Sequence, residues 1–415
     1  MEYGIIVPII NEYIISTSAP EAYMGYCVSI YYVSSLVVSI LFGRIVDKTQ
    51  SLKLTYFISV SCAFIGYYIF TFYRTTTGII VARAISGINN GAYGAIIGRV
   101  ALDTEKNGGS YIGACLLQRE LGIVTGSMIS GFWISKWGDF TFFNHDIDEL
   151  NRYGFFCTLL WLIAGLIGIV ALGNEPRYEI AEEIDEKLMT NHNEIQFIQK
   201  GKLPFLPEPI IVCLTCSFTI LLQQSMLEGT VASIFRYYLG LSQTEIIMVF
   251  SIVGLTALLS YIVTILFSLK FHLRYALAGN QFIALVSSIL FFVMFIFGNF
   301  RDWYVAPGLA FGGFFVIFSI APVIISSVTI ISDFSTPDMK STYQGLRCFT
   351  ESLSCILGPL WGANMLHTRQ WIFWPIIIFL VISISMICSS WSRLDVRKFK
   401  NNSKLNVEPE KLQKL

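Results

Sequence analysis

Arg83, Arg119, Glu120, Arg347 and Glu351 each stand inside a long apolar run, where a charge has no ordinary surface to reach. A charge at the centre of a membrane helix costs about 2.5–3.5 kcal/mol on insertion scales, so left unpaired these five would cost roughly 12–17 kcal/mol. No loop requirement explains them. A water-filled polar cleft does, with arginines and carboxylates drawn from several helices. Such a set can recognise a charged solute, or take up and release protons or ions as the cleft opens. Three arginines against two carboxylates leave the cleft mildly positive, which leans toward an anionic solute; Glu2 and Glu228 are the groups that would restore the balance.

The spacing limits what each group can do. Arg119 and Glu120 are neighbours, about 100° apart on a helix, so they cannot share a face and at least one needs a partner from another helix. Arg347 and Glu351 are four apart and do share a face. They read either as a plain ion pair or as a carboxylate that exchanges a proton or ion when the cleft opens. Arg83 lies a short way inside its run and either faces the cleft or snorkels to the nearby interface; Arg99, at the other end of that run, reads as snorkelling. Gln223 and Gln224 are uncharged polar groups deep enough to face a solute, and Glu228 is either an interfacial carboxylate or a binding group at the mouth.

The elements that must carry these residues follow from composition. The 415 residues are 54% hydrophobic and 13% charged, with 33 Phe and a mean hydropathy of +0.63. Soluble domains spend about 25% of residues on charge, so this chain could not cover a water-facing surface. That excludes a soluble enzyme, a nucleic-acid binder, a secreted disulfide scaffold and a disordered chain. Lys+Arg and Asp+Glu are 28 each, so net charge points to no acidic or basic partner.

A span takes about 20 mostly apolar residues. Eleven such runs occur, at 22–43, 54–73, 78–100, 110–133, 153–172, 208–229, 243–268, 275–298, 304–331, 342–366 and 371–391. They are too long for barrel strands and lack alternation, so helices are predicted. Met1 to Ile15 is a twelfth, shorter run. It reads as the second half of a helix and points to an alternative start or an incomplete gene model; it lacks the basic flank and small-residue cleavage site of a signal peptide. With the loop 44–53 in the cytosol, 18 Lys/Arg fall on that side, among them Arg44, Lys48, Lys53 and Lys106. Six fall on the other: Arg74, Lys136, Arg152, Arg236, Arg301 and Arg369. Both ends are therefore placed in the cytosol. The polar stretch 173–207 divides the spans into six and six. The expected organisation is a first bundle over 1–172, a cytosolic linker over 173–207, a second bundle over 208–391 and a cytosolic tail over 392–415.

The two halves share a pattern. Tyr111-x-Gly113 followed by Gly126 matches Tyr343-x-Gly345 followed by Gly358 at an offset of 232. This fits a parallel repeat about an axis along the membrane normal. On this register Arg119 and Glu351 are equivalent positions.

Several motifs resemble the major facilitator superfamily. Gly43-x-x-x-Asp47-Lys48, at the exit of the second helix, is similar to the family's Gly-x-x-x-Asp-Arg/Lys, although the later glycine and paired basic residues are absent. Gly43 permits close helix approach, and Asp47 can take a helix N-terminus or an Arg across the seam. The resemblance implies that these three form a gate latch. Arg83-x-x-x-Gly87-x-x-x-Gly91 is similar to the family's fourth-helix run. Gly122 and Gly126 match its glycine-rich fifth helix, with Ser127 at the usual proline; Gly358-Pro359 carries that pair in the eleventh. These glycines are expected to pack helices. The opening Glu2 to Tyr13, with Val81-Ala82-Arg83 to Gly91, resembles the lysosomal branch typified by the neuronal ceroid lipofuscinosis transporter. That resemblance implies an endolysosomal membrane protein with organic-anion transport or chloride conduction.

The nine Cys lie in or at the edges of spans, with Cys213-x-x-Cys216 in an apolar helix, so neither a disulfide nor zinc is implied. His145, His192, His272 and His367 are scattered and form no metal constellation. There is no Walker loop, no grouping of nucleophile and base, and no cofactor or nucleic acid is called for. The expectation is an all-α protein of two six-helix bundles, working as a monomer in the bilayer. It is read as a secondary transporter of a small molecule or ion along a path lined by Arg83, Arg119, Glu120, Gln223, Gln224, Arg347 and Glu351. An anion channel of the same fold and a transport-inactive receptor or scaffold are the alternatives.

Overall fold

A computed structural model describes residues 1–18, 23–103, 108–142, 145–173, 206–238, 240, 243–268, 272–298, 304–365 and 373–395. Among these residues the chain forms twelve α-helices: α1 (Glu2–Ser16), α2 (Tyr23–Thr49), α3 (Lys53–Phe72), α4 (Thr76–Asp103), α5 (Gly108–Phe132), α6 (Arg152–Gly173), α7 (Glu208–Tyr238), α8 (Gln243–Ser268), α9 (Leu273–Phe297), α10 (Val305–Phe334), α11 (Lys340–Met365) and α12 (Trp374–Ser389). Most of the predicted linker, and the tail from 396, lie outside the described residues.

The apolar runs set the helices because a backbone in hydrocarbon must satisfy its own polar groups. Several helices overrun the apolar stretch that predicted them; α2 continues through Asp47 to Thr49. By length and apolarity six helices qualify as spans: α2, α3, α6, α7, α9 and α10. Helices α4, α5 and α11 fall short for a physical reason, since they carry the glycines and ionic groups described below. Exposed apolar residues recur at helical spacing on outer faces, such as Leu159, Leu162, Ile163, Leu166 and Val170 on α6. That is the stripe a helix presents to lipid.

Helices α1–α6 pack among themselves, mainly α4 against α2 and α3, and α6 against α3. Helices α7–α12 do the same, with α10 against α9 and α11 against α7. One apolar core gathers Ile5, Ile10, Tyr67, Phe70 and Ile79, and a small one Phe42, Val46, Ala92 and Ala95; a third gathers residues of α7–α12 and extends over Ile97, Ala101, Ile112 and Leu116. Those four sit at the ends of α4 and α5 nearest the linker. The two sets of helices therefore share a core on the linker face, where α11 crosses α2 and α4, and where α8 and α10 meet α5.

The repeat is visible in what its glycines touch. Gly113 on α5 faces Ile265 on α8, and its counterpart Gly345 on α11 faces Ser39 on α2. Gly126 on α5 packs on the start of α1, and Gly358 on α11 packs on Ser225 and Met226 of α7. Each pair meets equivalent helices of opposite or own half, as a two-fold relation requires.

On the far face a hairpin, β1 (Phe140–Phe142) and β2 (His145–Ile147), pairs Phe140 with Ile147. Asn151 pins it, donating to the carbonyls of Thr71 at 3.2 Å and Asp146 at 3.1 Å.

Candidate functional site

At the linker face of the seam, one carboxylate joins α2 to the start of α11. Asp47 accepts from the Ser341 N–H at 3.0 Å, the Thr342 N–H at 2.7 Å and the Thr342 hydroxyl at 2.6 Å. These are first-turn donors of α11, which have no acceptor within their own helix and sit at its positive end. Gly43 and Gly98 let α11 come this close, since a Cβ on Gly43 would lie 2.9 Å from the Thr342 Cα and one on Gly98 2.7 Å from the Ser341 N. Lys48 is exposed and stands outside the contact. Arg99 corrects its reading as a snorkelling side chain. It is 5% exposed and donates to Gln50 Oε1 at 3.0 Å, while Gln50 donates to the Asp47 carbonyl at 2.6 Å. Gln50 takes a positive φ of 49°, and that turn is what brings its amide back beside Arg99.

Deeper in the seam, Arg347 and Glu351 form an ion pair with Arg347 fully buried. Gln344 positions the guanidinium, accepting from Nε at 2.8 Å while its own amide donates to the Val328 carbonyl and the Ser332 hydroxyl, both at 2.9 Å. A chain of small polar groups crosses the halves beside it: Asn90 donates to Ser35 at 2.9 Å, and Ser35 lies 3.1 Å from Ser352.

Arg119 and Glu120 are half-buried on α5. The Arg119 guanidinium lies 5.2 Å from the Tyr93 ring centroid and is within electrostatic reach of Glu120 and Glu351. From α7, Gln224 donates to Glu228 at 2.8 Å, and Glu228 is solvent-exposed although it senses Glu120 and Arg119 on α5. Of the seam carboxylates Asp47, Glu120, Glu228 and Glu351, Glu228 is the exposed one.

Arg83 and Gln223 do not join this cleft. Arg83 is 1% exposed inside the first bundle, its guanidinium 4.3 Å from the Tyr31 ring centroid and 3.4 Å from the Tyr67 hydroxyl. Glu2 is its ionic neighbour and accepts from the Tyr31 hydroxyl at 3.1 Å and from Trp161 Nε1. Arg83 Nε and Nη2 have no hydrogen-bond partner among the described residues. Gln223 is 2% exposed and donates to Ser288 on α9 at 2.7 Å, because neighbours on a helix face different ways.

Gly87 and Gly91 face Tyr31 and Val38 on α2, and Gly122 and Gly126 face the start of α1. Pro359, next to Gly358, removes the N–H that would bond the Cys355 carbonyl. Glu2 is the ionic neighbour of Arg83, and Glu351 pairs with Arg347.

An apolar groove of about 480 Å³ between α7 and α12, lined by Ile211, Val212, Val381 and Ile382, lies away from these charges and holds only Glu208 at its rim.

Sequence reasoning missed Gln344, Ser35 and Asn90. Gln344 had a signal, standing one turn before Arg347; Ser35 and Asn90 had none.

A family model described as the Major Facilitator Superfamily matches residues 1–359. No curated protein matches the chain. Among solved structures, the human organic anion transporter MFSD10 (TETRAN) is similar with a TM-score of 0.64 at 16% identity, over 93% of this chain and 90% of that one. The proton:xylose symporter XylE is similar with a TM-score of 0.68 at 15% identity, over 95% of this chain and 93% of that one. At these identities the likeness shows the fold alone. With the family match running through most of the helices that build the seam, the chain belongs to the major facilitator superfamily of membrane transporters.

Proposed function

We propose that the protein is a secondary active transporter that moves a small solute by alternating access, its halves rocking about the ionic seam while an ion or proton gradient supplies the energy. One observation carries this reading. The seam is held on the linker face by Asp47 and the first turn of α11, while Glu228, at the far end of the α7 span, is exposed. A carrier caught with one gate shut has this asymmetry, and the latch bonds are of a kind that can be broken and remade. The path residues are Arg119, Glu120, Gln224, Arg347 and Glu351, with Arg83 and Glu2 as a separate ionic unit within the first bundle. The linker face is taken as cytosolic from the Lys/Arg bias, and the branch resemblance points to an endolysosomal membrane.

The test is purified protein in sealed vesicles loaded with a metabolite extract. Saturable loss of a defined solute that an imposed ion gradient accelerates is the expected result. Steady ionic current with no saturable solute flux would make it a channel and overturn the carrier reading.

A further inference from the structure

Helix α10 runs unbroken over Val305–Phe334 with Pro322 in its interior. A proline has no N–H, and its ring crowds the carbonyl four residues back. In α10 that carbonyl belongs to Phe318. A backbone carbonyl without a donor is costly at membrane depth, so a proline is kept there where a neighbouring helix supplies one. Ser260 of α8 does so: its hydroxyl is fully buried and donates to the Phe318 carbonyl at 2.5 Å. The first bundle repeats the arrangement. Pro8 of α1 follows Gly4 by four residues, and Ser127 of α5 donates to the Gly4 carbonyl at 3.1 Å. In each bundle a hydroxyl on one helix takes the place of an amide that the proline of another lacks.

The break also divides what α10 touches. Before Pro322, Gly308 and Gly312 lie against α9, where an added Cβ would come within 3.1 Å of Met294 and 3.2 Å of Phe291. After it, the Val328 carbonyl and the Ser332 hydroxyl accept from Gln344 of α11, both at 2.9 Å, and Gln344 accepts from Arg347. Ile325 reaches toward α5, its Cδ1 3.8 Å from where a Cβ on Gly113 would stand. The first part of α10 is thus fastened to α9, and the part beyond Pro322 to the helices of the seam.

We infer that Ser260 is a positioning residue for transport. Its bond to the Phe318 carbonyl fixes the angle of α10 at Pro322, and so the place of the Val328–Ser332 turn that holds Gln344 and, through it, the Arg347–Glu351 pair. This rests on the carrier reading for the motion it controls, and adds the point at which α10 bends when the linker face opens.

A double-mutant cycle tests the bond, because alanine at position 322 restores the missing N–H. Spin labels at Tyr111→Cys and Met339→Cys, both exposed, report the spacing of α5 from the end of α10, with the reachable native cysteines replaced. Ser260→Ala should move the ratio of short to long distances about three- to tenfold toward long, the range measured for hydrogen bonds between membrane helices. In Pro322→Ala the new amide bonds the Phe318 carbonyl, so adding Ser260→Ala should change the ratio by less than about twofold. Unfolding midpoints of the same four proteins in detergent should show the same coupling. No shift on Ser260→Ala, or an equal shift with proline and with alanine at 322, overturns the assignment, since a side chain that only fills space is missed equally in both. Saturable solute flux is measured on the same proteins. Its absence from all four overturns the carrier reading and leaves the coupling standing, whereas failed coupling in protein with normal flux overturns the role of Ser260 alone.

Discussion

Removing the Asp47 carboxylate should release the linker face. In Asp47→Ala the Ser341 and Thr342 N–H groups and the Thr342 hydroxyl lose their acceptor. A hydrogen bond to a charged group contributes about 1.5–3 kcal/mol, and the charge at a helix N-terminus adds about 0.3–1 kcal/mol. Asp47 is half-buried, so water replaces part of this, and the first-turn donors of α11 are re-solvated when the gate opens. We take about 2–4 kcal/mol as the net loss, or roughly 30- to 700-fold in the ratio of closed to open forms. Asp47→Asn keeps one carbonyl oxygen and loses the charge, so it should show about half the effect in free energy. The assay is the distance between spin labels at Arg44→Cys and Met339→Cys, both exposed and on opposite sides of the seam, with the reachable native cysteines replaced. The parent should give one short distance, and Asp47→Ala a population shifted to longer ones with slower solute flux. An unchanged distribution with full flux in Asp47→Ala would refute the latch.

Three further outcomes are expected. In Gly345→Val the new Cβ would meet the Ser39 carbonyl at 2.5 Å, so α11 cannot seat on α2; amide exchange at Ser341 and Thr342 should rise while membrane insertion is kept, and unchanged exchange would count against the contact. Arg347→Ala leaves Glu351 and Gln344 buried without their partner and should cost about 3–5 kcal/mol in detergent unfolding, whereas Arg347→Met with Glu351→Gln should recover much of it; equal losses in both would show that the pair's charge is immaterial. Outside the membrane, burial raises the Asp148 carboxyl, but the Arg74 hydrogen bond and the N–H groups of Leu150 and Asn151 outweigh it and hold the group below its ordinary value. A depressed carboxyl gives stability that is complete above its unfolded value and lost as pH falls through the folded one. Protection of the Leu150 and Asn151 amides should therefore be the same at pH 7 and pH 5 and fail only in stronger acid; loosening between pH 7 and pH 5 would contradict the pairing.

What was legible in the sequence is what the bilayer or the covalent chain dictates. The helices follow from apolar length. Gly43 and Asp47 are one turn apart on α2, so their joint approach to another helix end is written in their spacing. Tyr-x-Gly followed by a distant Gly gave the register of the repeat, because close packing on equivalent helices needs glycine at equivalent places. What could not be read depends on helix rotation. Nothing in Gln223-Gln224 says which amide turns to Ser288 and which to Glu228. Depth and the glycine motif do not place the Arg83 side chain, whose enclosure needs Tyr31, Tyr67 and Trp161 from three other helices. Arg99 was misread for the same reason, since its partner Gln50 reaches it only through a left-handed turn.

The scaffold is repeated but the chemistry is not. Positions 115 and 347 are equivalent, yet one is Cys and the other the buried Arg347; positions 120 and 352 are Glu and Ser. The latch is also one-sided. Asp47 ends α2 and holds α11, while the matching end of α8 reads Phe267-Ser268-Leu269-Lys270, with no acid to hold α5. Among the described residues, the α2–α11 crossing carries the Asp47 hydrogen bonds, while the α5–α8 crossing packs Gly113 on Ile265. Changes at Asp47 or Gly345 should therefore alter how long the gate stays shut, read as a changed flux rate, without altering which solute is carried.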